Sequence, residues 1–205
     1  TAKDHLEGVK SLLNKATREG GLGWLAENPW RGSRIKVKKK VTRKPWPSDA
    51  LVKLFASPLF QAYELPQDWR AGGAAAYWVT LLGLYCGARQ SELCQLRVND
   101  VVRTAEGLAV HITSEPADED EGSEETGTKS ECSERRIPVH PALLALGFED
   151  YWNEVKQGGH AALFPDVRRV EGYPAGEDFS RWFGIYREQQ GVKRRWVDFH
   201  AFRHT

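Results

Sequence analysis

Residues 74–93 read AAAYWVTLLGLYCGARQSEL. From Ala74 to Cys86 the segment is apolar nearly all round, which predicts a helix buried at the centre of the main domain and not one lying on a surface. Gly87 is expected to end that helix and turn the chain, so that Arg89 points back toward the surface as the next helix begins over Ser91 to Leu96. A cation at a helix start has the wrong sign for the macrodipole. A charge placed against the local field points to an anion close by, which makes Arg89 a candidate binding residue.

A second segment of the same chemical kind closes the sequence: His200-Ala201-Phe202-Arg203-His204-Thr205. An arginine at a helix start together with a His-x-x-Arg turn forms a donor set suited to a phosphodiester. Gly87-Ala88-Arg89-Gln90-Ser91-Glu92-Leu93 followed later by His200-x-x-Arg203 resembles the tyrosine recombinase (phage integrase) family. That family carries a G-x-R-x-S-E-L stretch and an H-x-x-R box in this order. A third stretch, TGTKSECSERRIPVHP over 126–141, resembles the family's T-K-x-x-x-S-x-R-x-x-P hairpin and contains Lys129, the only lysine between Lys53 and Lys156.

The resemblance implies a role for each of these residues. Arg89 and Arg203 grip the scissile phosphate, where a metal-free transesterification needs fixed cations against the charge gathering on the non-bridging oxygens. Lys129 protonates the leaving 5′ oxygen, its pKa lowered by the neighbouring cations. His200 assists proton transfer at the nucleophile or orients the phosphate, whereas His204 is as readily structural. The family's nucleophile is a tyrosine downstream of the H-x-x-R box. Tyr63, Tyr77, Tyr85, Tyr151, Tyr173 and Tyr186 all precede it and read as core or surface aromatics. The nucleophile is thus expected beyond Thr205, and a chain that starts at Thr1 and has no Met reads as an excised fragment.

The activity implied is that of a site-specific recombinase or integrase, cutting and rejoining DNA through a 3′-phosphotyrosine link with no cofactor. Its partner is double-stranded DNA, bound as a homotetramer, in a bacterial or phage-encoded protein of the cytoplasm. Two alternatives stay open: a type IB topoisomerase, which uses a similar Arg, Lys, Arg, His set, and a DNA-binding module that has lost catalysis. The presence of Arg89, Lys129, His200 and Arg203 together argues against decay.

Composition bounds the remaining possibilities. Eight Trp and 40 % hydrophobic residues in 205 indicate a folded protein of one to two domains. No apolar run is long enough to cross a bilayer, so no membrane partner is expected. Cys86, Cys94 and Cys132 lack metal-ligand spacing and read as buried free thiols. His111, His140 and His160 form no cluster with acids, so no metal is assigned.

The formal net charge of +1 conceals segregation: residues 1–47 hold twelve Lys/Arg against four Asp/Glu, and 115–125 (EPADEDEGSEE) hold seven acids and no base. The basic run RIKVKKKVTRKPWP over 34–47 places Arg34, Lys36, Lys38, Lys39, Lys40, Arg43 and Lys44 in one extended stretch. Repulsion this dense is relieved by a phosphate backbone, which makes these seven residues candidate DNA contacts; the alternative is a solvated connector. The acidic stretch reads as a solvated loop or as an insertion that holds off DNA.

The expected organisation is the C-terminal part of a helical core-binding domain over 1–33, a basic linker over 34–47 and a catalytic domain over 48–205. An amphipathic helix is expected over 4–18, with Leu6, Val9, Leu12, Leu13 and Ala16 on one stripe, and a turn at Asn28-Pro29. Ser48 is expected to cap a helix from Asp49. Strands are expected at Val101–Arg103, Leu108–Thr113 and Arg136–Val139, a helix opening at Pro141, and another over Phe179–Gln189. The fold class is α+β, mostly α-helical with a small antiparallel sheet, like a recombinase catalytic domain.

Overall fold

Apolar residues spaced three and four apart along the first segment produce α1 (Ala2–Ala16). A computed structural model describes residues 2–17, 19, 21–33, 44–112, 134–169, 173 and 175–205. Within it the chain forms two compact units, Thr1–Thr42 and Arg43–Thr205. In the first, Asn28 is the fastener. Its side-chain amide donates to the Lys10 carbonyl at 3.0 Å and to Asn14 Oδ1 at 2.6 Å, while its own oxygen accepts from Trp30 N at 2.9 Å. The Asn28-Pro29 turn is thereby tied back to α1. The expected apolar stripe is only partly covered: Leu6 and Leu13 are half-buried, but Leu12 is 69 % exposed.

The second unit is α+β, and the described structure as a whole is about 49 % helical with one three-stranded antiparallel sheet. It runs α2 (Ser48–Phe55), α3 (Pro58–Gln61), α4 (Ala75–Cys86) and α5 (Gln90–Cys94). Then come β1 (Val101–Thr104), β2 (Gly107–Ile112) and β3 (Arg135–Pro138), in sheet order β1-β2-β3. Helices α6 (Pro141–Ala145), α7 (Phe148–Gln157) and α8 (Glu177–Gln189) follow, and a 3₁₀ helix, Phe199–His204, comes last. Register places Val101 opposite Val110, and Ile112 opposite Arg135. No described helix is long and apolar enough to cross a membrane.

Helix α4 is buried from Ala75 through Gly83, as an all-apolar helix must be. The closing 3₁₀ helix packs on it through Phe199. A methyl group at Gly83 would lie 2.4 Å from Phe199 Cζ and 2.8 Å from Cε1, so only glycine admits the ring at this depth. Around Phe199 the aromatic core continues through Phe179, Phe183 and Phe202 at centroid separations of 5.3–6.0 Å.

Three local expectations are corrected. Ser48 is not the cap of α2: Pro47 holds that position, and no side chain caps the helix. Trp46 is not linker but core, 4 % exposed, and the second unit already begins at Arg43. A helix not expected from the sequence, α7, buries Phe148, Trp152 and Val155.

Gly83→Ala should destabilise the chain by about 1–3 kcal/mol, the usual effect of forcing extra volume into a packed core. Chemical unfolding measures this. Phe199→Leu in the same chain should make the combined loss smaller than the sum of the single ones, because the smaller side chain removes the clash.

Candidate functional site

Gly87 leaves α4 with φ +59, the left-handed conformation that glycine adopts without strain. Two residues later Arg89 is the extended N-cap of α5 (φ −72, ψ 149), and Glu92 stands in that helix's first turn. Glu92 reaches back: Oε2 accepts from the Arg89 backbone N–H at 2.8 Å, and Oε1 from Arg89 Nη1 at 2.7 Å. Oε2 also accepts from Arg135 Nη2, on β3, at 2.7 Å. The anion that the misplaced charge of Arg89 called for is therefore, in part, Glu92 itself.

Glu92 is 8 % exposed, whereas the Arg89 side chain is 54 % exposed. Burial alone would raise the Glu92 carboxyl. The hydrogen bonds from Arg135 and from the backbone and guanidinium of Arg89 outweigh it, holding the group below the usual glutamate value. One buried carboxylate thus aims two guanidinium groups and leaves most of the Arg89 side chain open to solvent.

The second motif reaches the same place from the other end of the chain. Asp198 opens the 3₁₀ helix by accepting from Ala201 N at 3.2 Å. Phe199, Ala201 and Phe202 point into the core, which turns Arg203 outward and leaves His200 half-buried. Arg203 Nη1 donates to the Gly87 carbonyl at 3.2 Å, two residues before Arg89. The two motifs are in contact. No ion pair involves Arg203 among the described residues.

Trp46 fixes this closing helix from behind. Its ring stacks on Phe202 at 5.0 Å and 10°, its indole N–H donates to the Asp198 carbonyl at 3.0 Å, and its backbone N–H donates to Thr205 Oγ1 at 3.1 Å. An open cleft of about 450 Å³ lies in front, lined by Arg89, Ser91, Gly176, Ser180 and His200 among others. Gln90 Nε2 donates to the Gly176 carbonyl at 2.6 Å and ties the start of α8 to α5.

Arg89, His200 and Arg203 are therefore brought together. Lys129 lies outside the described residues, as do Cys132 and the acidic stretch 115–125. Of the seven basic linker candidates, Arg34, Lys36, Lys38, Lys39, Lys40 and Arg43 lie outside them too, and Lys44 is exposed. Sequence reasoning passed over Glu92 and Arg135, although both sit in the quoted motifs, Glu92 three residues after Arg89 and Arg135 at the arginine of the hairpin pattern.

Other candidate groups lie elsewhere. His111 Nε2 pairs with Glu134 at 3.0 Å, and His140 Nδ1 accepts from Ala142 N. Among the described residues no three His, Cys, Asp or Glu side chains gather as a metal site. Burial pushes the Cys86 thiol up to about 11 and that of Cys94 to about 12, so both are protonated at neutral pH. No described tyrosine lines the cleft: Tyr77 and Tyr186 are buried, Tyr186 sharing a hydrogen bond with Ser57, and Tyr151 donates to the Leu163 carbonyl.

Compared with known proteins, the chain has no matching family model, no matching curated protein and no matching solved structure.

Glu92→Gln should destabilise the chain by about 1.5–3 kcal/mol, because it removes charged hydrogen bonds to two arginines. The pH dependence has a defined sign. A carboxyl held low in the folded state stabilises above its ordinary value of 4.5, and that contribution is lost as pH falls below it through the folded value. Unfolding free energies at pH 3 and pH 7 should therefore differ less in Glu92→Gln than in the parent chain.

Proposed function

We propose that this chain carries the machinery of a site-specific DNA recombinase, with a tyrosine-recombinase-like catalytic domain that cuts and rejoins DNA by metal-free transesterification. The observation that carries the proposal is the hydrogen bond from Arg203 to the Gly87 carbonyl, which brings the H-x-x-R turn against the residue that leads into Arg89. Arg89 and His200 line the open cleft, and Arg203 stands against the residue that leads into Arg89. Donors from two distant motifs suit a phosphodiester, whose non-bridging oxygens need them from more than one direction.

In the proposed reaction a tyrosine hydroxyl, contributed from beyond Thr205, attacks the scissile phosphorus. The P–O bond to the 5′ oxygen breaks as a 3′-phosphotyrosine forms. Arg89 and Arg203 meet the negative charge of the pentacoordinate state, and His200, lining the same cleft, handles the proton at the nucleophile or orients the phosphate. Lys129 gives its proton to the departing 5′ oxygen. Glu92 touches no substrate; it holds Arg89 and Arg135 in one geometry, so that little reorganisation is needed as charge develops.

In this reading residues 1–33 end a core-binding domain and the basic residues from Arg34 to Lys44 supply the connection to the duplex, with Trp46 already in the core of the second unit. The enzyme needs no cofactor, acts on double-stranded DNA as a homotetramer and works in the cytoplasm.

Cleavage by a chain that extends to the tyrosine tests the proposal. Arg89→Ala and Arg203→Ala should each slow single-turnover cleavage by about 10²–10³, the usual loss for one oxyanion donor, with duplex binding largely kept. Cleavage at the parent rate removes that arginine from the site. Lys129→Ala should be crippled on an ordinary phosphodiester yet largely restored on a 5′-bridging phosphorothiolate, whose leaving group needs no proton. Equal rates on the two substrates would exclude Lys129 as the general acid.

A further inference from the structure

Immediately before the H-x-x-R turn the chain reads Gly191-Val192-Lys193-Arg194-Arg195-Trp196-Val197. The turn is pinned at both ends, with Val192 and Val197 2 % and 3 % exposed. Val192 N donates to the Arg187 carbonyl at 2.9 Å, Arg194 pairs with Val197 in an isolated bridge, and the buried Arg187 guanidinium donates to the Val197 carbonyl. Between these anchors all four side chains, Lys193 to Trp196, are exposed. Lys44 joins them by donating its backbone N–H to the Trp196 carbonyl at 3.4 Å. Lys53 reaches over the same turn: its Nζ would lie 2.8 Å from a methyl group placed on Gly191.

Two features set this surface apart from an ordinary solvated turn. The first is charge. Lys193 pairs with Glu188 at 2.6 Å and Arg194 pairs with Asp49, but all four partners are about half exposed or more, where such pairs contribute little and exchange readily. Among the described residues no ion pair involves Lys44, Lys53 or Arg195, so five cations face two acids. The second is backbone strain. Trp196 has φ +70, an unfavourable conformation for a bulky residue, yet its ring remains 41 % exposed. Strain that is not matched by full burial marks a side chain held outward, and strained residues concentrate at binding sites. The Arg195 guanidinium lies 5.0 Å from that ring's centroid, a pairing of cation and aromatic plane suited to a nucleic-acid backbone.

We infer that Lys44, Lys53, Lys193, Arg194, Arg195 and Trp196 form a DNA-backbone contact separate from the cleft. It continues the duplex path from the His200–Arg203 turn to Lys44, the last cation of the basic run that begins at Arg34. This inference rests on the DNA reading of the cleft and adds an assigned surface to it. The cations take phosphates without reading sequence, and the Trp196 ring packs against the sugar-phosphate edge.

Binding of residues 1–205 to a fluorescein-labelled 25-base-pair duplex, followed by anisotropy across a salt series, tests this. Lys193→Ala/Arg195→Ala should lower the slope of log K against log salt by up to about 1.8, about 0.9 for each phosphate no longer neutralised. Trp196→Gly, which suits the positive φ, should weaken binding with the slope unchanged. Parent slope and affinity in the double variant, with a lowered slope in Lys38→Ala/Lys39→Ala/Lys40→Ala, would overturn this surface and leave the DNA reading standing. Failure of the parent chain to bind duplex DNA would overturn both.

Discussion

The contact between Gly83 and Phe199 is the constraint on which the rest depends. Helix α4 is apolar on every side and must be covered, and the only side-chain-free position within its buried span accepts an aromatic ring from the far end of the chain. Once Phe199 is seated, the 3₁₀ helix has no freedom to slide. Phe202 enters the same core, and Arg203 is carried to the Gly87 carbonyl at the end of α4. A packing requirement thus sets the distance between two charged motifs that are remote in sequence. Trp46 applies the same logic from the other face, binding the backbone of Asp198 and stacking on Phe202.

Electrostatics act on top of this frame. Guanidinium groups repel one another, so a site that gathers them needs an internal counter-charge weak enough to leave their outer faces free. Glu92 meets that need from the buried side. It takes hydrogen bonds from Arg89 and Arg135 and leaves Arg203 without an acidic partner among the described residues. A carboxylate in this position rigidifies the donors while a positive surplus remains for an anion.

Much of the fold was legible in the chain because its signals are local. The unbroken apolar run of α4, Gly87 after it, Pro141 at the first turn of α6 and the short apolar stretch of β2 each declare themselves within a few residues. Helix α7 was legible but overlooked: Phe148, Trp152 and Val155 recur at helical spacing behind the acidic first turn of Glu149 and Asp150. Trp46 was not legible, since its partners are Asp198, Phe202 and Thr205, and nothing near Pro45 and Pro47 announces a core residue. The site divides the same way. Arg89, His200 and Arg203 stand in compact motifs, whereas the aiming of Arg135 at Glu92 depends on where β3 pairs with β2, a long-range fact of register.

The central claim is that Arg89 and Arg203 act on one phosphate. Side-chain Nε–Hε NMR of residues 1–205, with the two signals assigned from Arg89→Lys and Arg203→Lys, tests it directly during titration with a short DNA duplex. The account predicts that both guanidinium signals shift together with a single affinity, and that replacing either arginine reduces the shift of the other. Signals that move independently, or that stay fixed while the duplex binds elsewhere on the chain, would contradict it.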